Sequence, residues 1–142
     1  MKEKIICKII HQNEYFIFNK QANHNIIGFI TFGIYTCSYI VLYTKNEIDI
    51  LITHIDENSN FYNMFEKFLQ KLENENINEI NIIYSNGLKS CKNPKRNYSS
   101  YIKEIKENLE IKYPYFKNKI MIIKEIQHEY PINLIKFISY ES

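Results

Sequence analysis

The sequence predicts an α+β domain: a mixed β-sheet or layered β-sandwich with two covering helices. Three observations predict it. Short runs of β-branched and aromatic residues outnumber helical patterns. One stretch, from Phe61 to Leu72, repeats apolar residues at helical spacing. No linker is long enough to divide the 142 residues, so residues 1–142 form a single domain.

Lys4 to Ile10 and Glu14 to Phe18 read as strands joined by a His11-Gln12-Asn13 turn, and Asn25 to Ile34 holds a third apolar run interrupted by Gly28 and Gly33. Ser38 to Tyr43 and Ile48 to Ile55 then read as a β-hairpin around a polar Thr44-Lys45-Asn46-Glu47 tip. Ser59 or Asn60 supplies an N-cap for a helix whose Phe61, Met64, Phe65, Phe68, Leu69 and Leu72 fall on one side. Such a stripe is core packing. Glu79 to Ser85 forms another strand, stopped by a turn at Asn86-Gly87, and a polar loop follows from Lys89 to Ser99. A second helix opens at Ser99 with Ile102, Ile105 and Leu109, and ends near Pro114. Lys119 to Ile126 and Ile132 to Tyr140 close the chain as two strands.

Composition narrows the function classes. The chain is 45% hydrophobic and 24% charged with a net charge of +2, as in an ordinary globular protein. Lys89, Lys92, Lys95 and Arg96 cluster in a loop, but Arg96 is the lone arginine, so a nucleic-acid partner is not expected. No apolar run approaches the roughly 20 residues of a membrane span. Met1-Lys2-Glu3-Lys4 lacks signal-peptide character, because Lys8 breaks the apolar stretch behind it. Three unevenly spaced cysteines, Cys7, Cys37 and Cys91, argue for a reducing compartment and reactive thiol chemistry over a disulfide framework. The expectation is a cytoplasmic monomer. Delivery into a host cell by a signal-less route would leave no mark in these residues. Scattered His11, His24, His54 and His128 make no metal motif, and three glycines make no phosphate loop, so no metal and no cofactor are expected.

One pair carries chemistry. A hairpin tip of two residues at Lys45-Asn46, or of four over 44–47, sets Cys37 directly opposite His54, with Cβ atoms roughly 5 Å apart on one face. A thiol needs such a base to become a nucleophile. Taken singly, each residue reads as structural; together they read as a site. The face continues with Tyr39, Val41 and Tyr43 against Ile52, Ile50 and Ile48, where a histidine needs a partner or solvent.

Thr31-Phe32-Gly33-Ile34-Tyr35-Thr36-Cys37, with His54 seventeen positions after Cys37 and Thr31 six before it, resembles the chemotaxis receptor glutamine deamidases of the CheD type and their T-x-G-x-x-x-C…H arrangement. Thr36-Cys37-Ser38 and Thr53-His54-Ile55-Asp56 are also similar to the protein N-terminal asparagine amidohydrolases. The cytotoxic necrotizing factor group of glutamine-deamidating toxins is a more distant relative in site design. The resemblance covers residues 28–87. It implies a cysteine hydrolase acting on a protein substrate that carries a glutamine or asparagine. Cys37 would be its nucleophile and His54 its general base. Thr31, or else Asp56, would orient the imidazole. Backbone N–H groups at Cys37 and Ser38 would serve as oxyanion donors. A related Cys/His acyl-transferase or protease, or a non-catalytic binding module on the same scaffold, are the rival readings.

Overall fold

The computed structural model describes residues 4–56, 59–88 and 97–140. Within them the chain runs β1 (Ile6–Ile9), β2 (Tyr15–Asn19), β3 (Ile26–Ile34), β4 (Ser38–Thr44), β5 (Asp49–Ile55), α1 (Phe61–Leu72), β6 (Ile80–Leu88), α2 (Tyr98–Lys112), β7 (Ile120–His128) and β8 (Ile132–Phe137). The α+β expectation holds. The strands form two mixed sheets, a small one in the order β1-β3-β8 and a large one in the order β2-β5-β4-β6-β7.

Strand alternation divides the core into two. From β4 and β5, Val41, Ile50 and Ile52 point one way and bury against Phe18, Phe29, Ile10, Ile26 and Ile138, which fills the space between the sheets. Ile40, Leu42, Leu51 and Ile55 point the other way, against Phe61, Phe65, Phe68, Leu69 and Leu72 of α1 and Ile102, Ile105 and Leu109 of α2. The result is three layers: small sheet, large sheet, helices. β4 and β5 are therefore covered on both faces, and all seven residues of β5 are buried.

The helix starts follow capping chemistry. Asn60 caps α1 by accepting from the Asn63 N–H at 3.2 Å, while Ser59 is engaged instead with Asp56 and Asn13. Asn97 caps α2 in the same way, accepting from the Ser100 N–H at 3.2 Å, and Pro114 opens a short 3₁₀ turn just beyond that helix. Among the described residues no helix is long and apolar enough to cross a membrane. Most of the expected loop over 89–99, with Cys91 and the basic cluster Lys89, Lys92, Lys95 and Arg96, lies outside the described residues.

Two sequence expectations are corrected. The hairpin tip takes in Ile48: a 3₁₀ turn over Lys45–Glu47 has Asn46 and Glu47 at φ 63 and 55, and Ile48 completes the tip before β5 begins at Asp49. Thr44 closes this tip by accepting the Asp49 N–H on Oγ1 at 3.1 Å. The register consequently moves, and Tyr39, not Cys37, stands opposite His54. Cys37 lies in the bend just before β4. The second correction is that Ser85, Asn86 and Gly87 do not form a terminating turn. β6 continues through them to Leu88, with an irregularity in its pairing to β7 between Ser85 and Leu88.

Candidate active site

His54 sits near the end of β5 with the parity of Ile50 and Ile52, so its ring enters the space between the two sheets, and it is 3% exposed. The facing strand is β3, where Thr31 has the parity of Phe29 and is fully buried. Thr31 Oγ1 and His54 Nδ1 are 2.8 Å apart. This contact joins the two sheets at a polar point beyond the apolar layer.

Hydrogen-bond bookkeeping then fixes the imidazole. A threonine hydroxyl has one proton to give, and Thr31 donates it to the Ile10 carbonyl at 2.6 Å. Toward His54 the hydroxyl must accept. Nδ1 therefore carries the hydrogen, and in the neutral ring Nε2 is left with its lone pair. Nε2 is buried and has no hydrogen-bond partner among the described residues. Burial pushes the His54 pKa below its ordinary value of 6.5, and the negative charge of Asp56 offsets part of that effect. The ring is thus a neutral, oriented base at neutral pH.

Asp56 does not take the orienting place. Its carboxylate accepts from Gln12 Nε2 at 3.2 Å and Asn13 Nδ2 at 3.0 Å, in the β1–β2 turn. The Asn13 N–H in turn donates to the His54 carbonyl at 2.6 Å, with Asn13 itself at φ 65. Asp56 therefore pins the turn and acts on the imidazole through its charge.

The third residue, Cys37, is 8% exposed and is not in a disulfide. Its neighbours are tethered on several sides. The Leu88 N–H donates to the Tyr35 carbonyl at 3.0 Å, and the Tyr98 hydroxyl of α2 donates to the Thr36 carbonyl at 3.1 Å. Ser38 Oγ donates to the Ser85 carbonyl at 2.5 Å, and Ser85 Oγ accepts the Tyr39 N–H at 3.0 Å. Gly87, at φ 79, lets β6 pass beside this bend: a Cβ there would lie 3.4 Å from the Thr36 carbonyl oxygen. On the incoming side Gly33, at φ 65, sits in a bulge of the β3–β8 pairing and donates its N–H to Asn133 Oδ1 at 2.9 Å. A bulge before the bend and a left-handed glycine after it are devices for re-aiming a strand end.

The register correction changes how Cys37 and His54 relate. Tyr39 faces His54, and Cys37 shares the parity of Tyr39 two residues earlier, so the cysteine is a diagonal neighbour at the head of the strand. Diagonal positions on one face are separated by roughly 7–8 Å between Cα atoms, within reach of one another's side chains. The thiol makes no hydrogen bond to Nε2 in the present conformation. The structure therefore joins Thr31 to His54 directly and leaves Cys37 beside them.

Several members of this arrangement escape a sequence reading. Ser85 and Gly87 stand in a segment that reads as a plain turn, and Tyr98 precedes the expected start of its helix. The Ile10 carbonyl that polarises Thr31 has no side-chain signature at all. Among the described residues, no group of three or more His, Cys, Asp and Glu side chains is arranged to hold a metal ion. No protein-family model matches this sequence, and no curated protein matches it.

Proposed function

We propose that this chain is a cysteine hydrolase that deamidates a glutamine or asparagine side chain in a protein substrate. The observation that carries the reading is the Ile10 carbonyl–Thr31–His54 chain, at 2.6 and 2.8 Å, which leaves Nε2 as a bare base beside the bend that holds Cys37. The resemblance of Thr31, Gly33, Cys37 and His54 to the deamidase pattern supplies the reaction class.

The chemistry follows from these atoms. Because burial keeps His54 neutral, the resting pair is a thiol and an imidazole, not an ion pair. As substrate enters, Sγ of Cys37 swings to Nε2, a contact that often tightens only in the Michaelis complex. Nε2 takes the thiol proton while sulfur bonds to the carboxamide carbon. The developing oxyanion is met by backbone N–H groups at Cys37 and Ser38. Imidazolium then returns the proton to nitrogen, the C–N bond breaks, and ammonia leaves a thioester. Water, deprotonated by Nε2, adds to the thioester carbon. The C–S bond breaks, the thiol is restored, and the product side chain is a carboxylate. Thr31 keeps Nδ1–H in place throughout, so Nε2 is always the atom that exchanges protons.

A search for deamidated sites by mass spectrometry in whole lysate treated with the protein tests this. The reading expects glutamine or asparagine sites converted to acid, with ammonia release, and none above background with Cys37→Ser. Peptide cleavage without ammonia would assign the same residues to a protease. The unpartnered Nε2 also fits a binding module that retains the scaffold without turnover; indifference of Cys37 to an electrophile at neutral pH would select that reading.

A further inference from the structure

At the opposite end of β5 from His54 lies a second polar constellation that the proposed chemistry does not use. Asp49, the first residue of β5, is 1% exposed. Its Oδ1 accepts from Asn19 Nδ2 at 2.9 Å, and its backbone N–H is taken by Thr44 Oγ1 at 3.1 Å. Its Oδ2 is buried and receives no hydrogen bond from the described residues. A buried carboxylate oxygen without a donor is costly, and such groups are held only where something neutralises them.

What faces Asp49 is a second acid. The Glu75 carboxyl, in the connection between α1 and β6, lies within hydrogen-bonding reach of it. Loss of water, then the Asp49 charge and that hydrogen bond, raise the Glu75 pKa above its ordinary range; Lys71 acts in the opposite sense. Two carboxylates cannot hydrogen-bond to each other unless they share a proton, and otherwise they need a cation between them. Both residues line a cleft of about 240 Å³ whose other walls include Asn76, Asn78 and Glu79. Such a lining is rich in oxygen and has neither sulfur nor imidazole, the chemistry of a hard cation.

We propose that this cleft binds a divalent hard cation, calcium foremost, between the Asp49 and Glu75 carboxylates. Amide and carboxylate oxygens of Asn76, Asn78 and Glu79 are at hand to add to the coordination, and water fills the remainder. The cation would tie the β4–β5 hairpin tip to the α1–β6 connection. It would act on the stability of that end of the fold, away from Cys37.

Calcium chloride titrated into the full chain by calorimetry, with melting temperature followed in parallel, tests the assignment. One site with a dissociation constant of about 0.1–1 mM is expected, the weak end of calcium sites, because only two carboxylates converge. Melting temperature should rise by roughly 3–8 °C in 10 mM calcium. Glu75→Gln, an exposed and isosteric change, should weaken binding about ten-fold or more with an unchanged circular dichroism spectrum. Asp49→Asn should do the same if it folds, and Glu75→Gln decides the matter if it does not. Absence of heat and of any melting shift up to 10 mM would overturn the proposal and leave an acid pair sharing a proton. Binding that survives Glu75→Gln unchanged would place the ion elsewhere and overturn it equally.

Discussion

Thr31→Val is the sharpest perturbation of the site, because it keeps the shape of the side chain and removes one oxygen. That oxygen holds two buried groups. It accepts from His54 Nδ1 at 2.8 Å and donates to the Ile10 carbonyl at 2.6 Å, with His54 and Ile10 3% and 2% exposed. Leaving a buried donor or acceptor unpaired costs roughly 1–3 kcal/mol each, so the variant should lose about 2–5 kcal/mol. That is a large share of a total of roughly 5–15 kcal/mol. For a chain of this size the melting temperature should fall by roughly 6–20 °C. The chemical effect is separate: without its acceptor the ring can flip or change tautomer, and general-base assistance worth about 10²–10⁴-fold should be largely lost. Urea denaturation gives the first quantity, and the alkylation rate of Cys37, followed by peptide mass spectrometry with Cys7 as internal control, gives the second. Thr31→Ser keeps the hydroxyl and loses one methyl, a change of about 1 kcal/mol, and should retain the alkylation rate. If Thr31→Val and Thr31→Ser behaved alike in both measurements, the hydroxyl would have no part in holding His54.

Two further outcomes follow from the same geometry. The unfolded chain protonates His54 near its ordinary 6.5, whereas the buried ring takes up its proton only at lower pH. The stability this group contributes is therefore complete above 6.5, is lost as pH falls through 6.5, and levels off below the depressed native value; urea midpoints between pH 7.5 and 5 measure it. Because the Asp56 charge raises the His54 pKa, Asp56→Asn should move the acid limb of Cys37 alkylation to lower pH. Gly87→Ala forces an L-residue into the left-handed region, at about 1–2 kcal/mol, and sets a Cβ 3.4 Å from the Thr36 carbonyl oxygen. It should lower the melting temperature and slow Cys37 alkylation together. Stability loss with unaltered reactivity would mean that the bend does not depend on β6.

The fold was legible where side-chain pattern decides structure. The stripe from Phe61 to Leu72 specifies α1, Asn60 caps it, and the alternation of Tyr39, Val41 and Tyr43 with Ile40 and Leu42 correctly separates the two faces of β4. The hairpin register was not legible. Ile48 is apolar and reads as strand, yet it is 43% exposed in the tip, because Asn46 and Glu47 adopt left-handed conformations and Thr44 caps Asp49. The slip moves each residue's partner by two positions, so every side chain keeps its face while its partner changes. That is why His54 stays between the sheets although Cys37 is no longer opposite it. Thr31 shows the complementary case. Its spacing from Cys37 marks it in the sequence, but its tie to the Ile10 carbonyl depends on a backbone acceptor that any residue type could provide.

The account turns on Nε2 of His54 serving as the base for Cys37, and the pH dependence of Cys37 alkylation by iodoacetamide tests that most directly. The native protein should alkylate at Cys37 with a rate that rises along an acid limb below pH 6.5 and then levels off. His54→Ala should instead follow ordinary thiol ionisation, near pH 8.5. Superimposable profiles for the two proteins would contradict the assignment, whatever substrate the chain acts on.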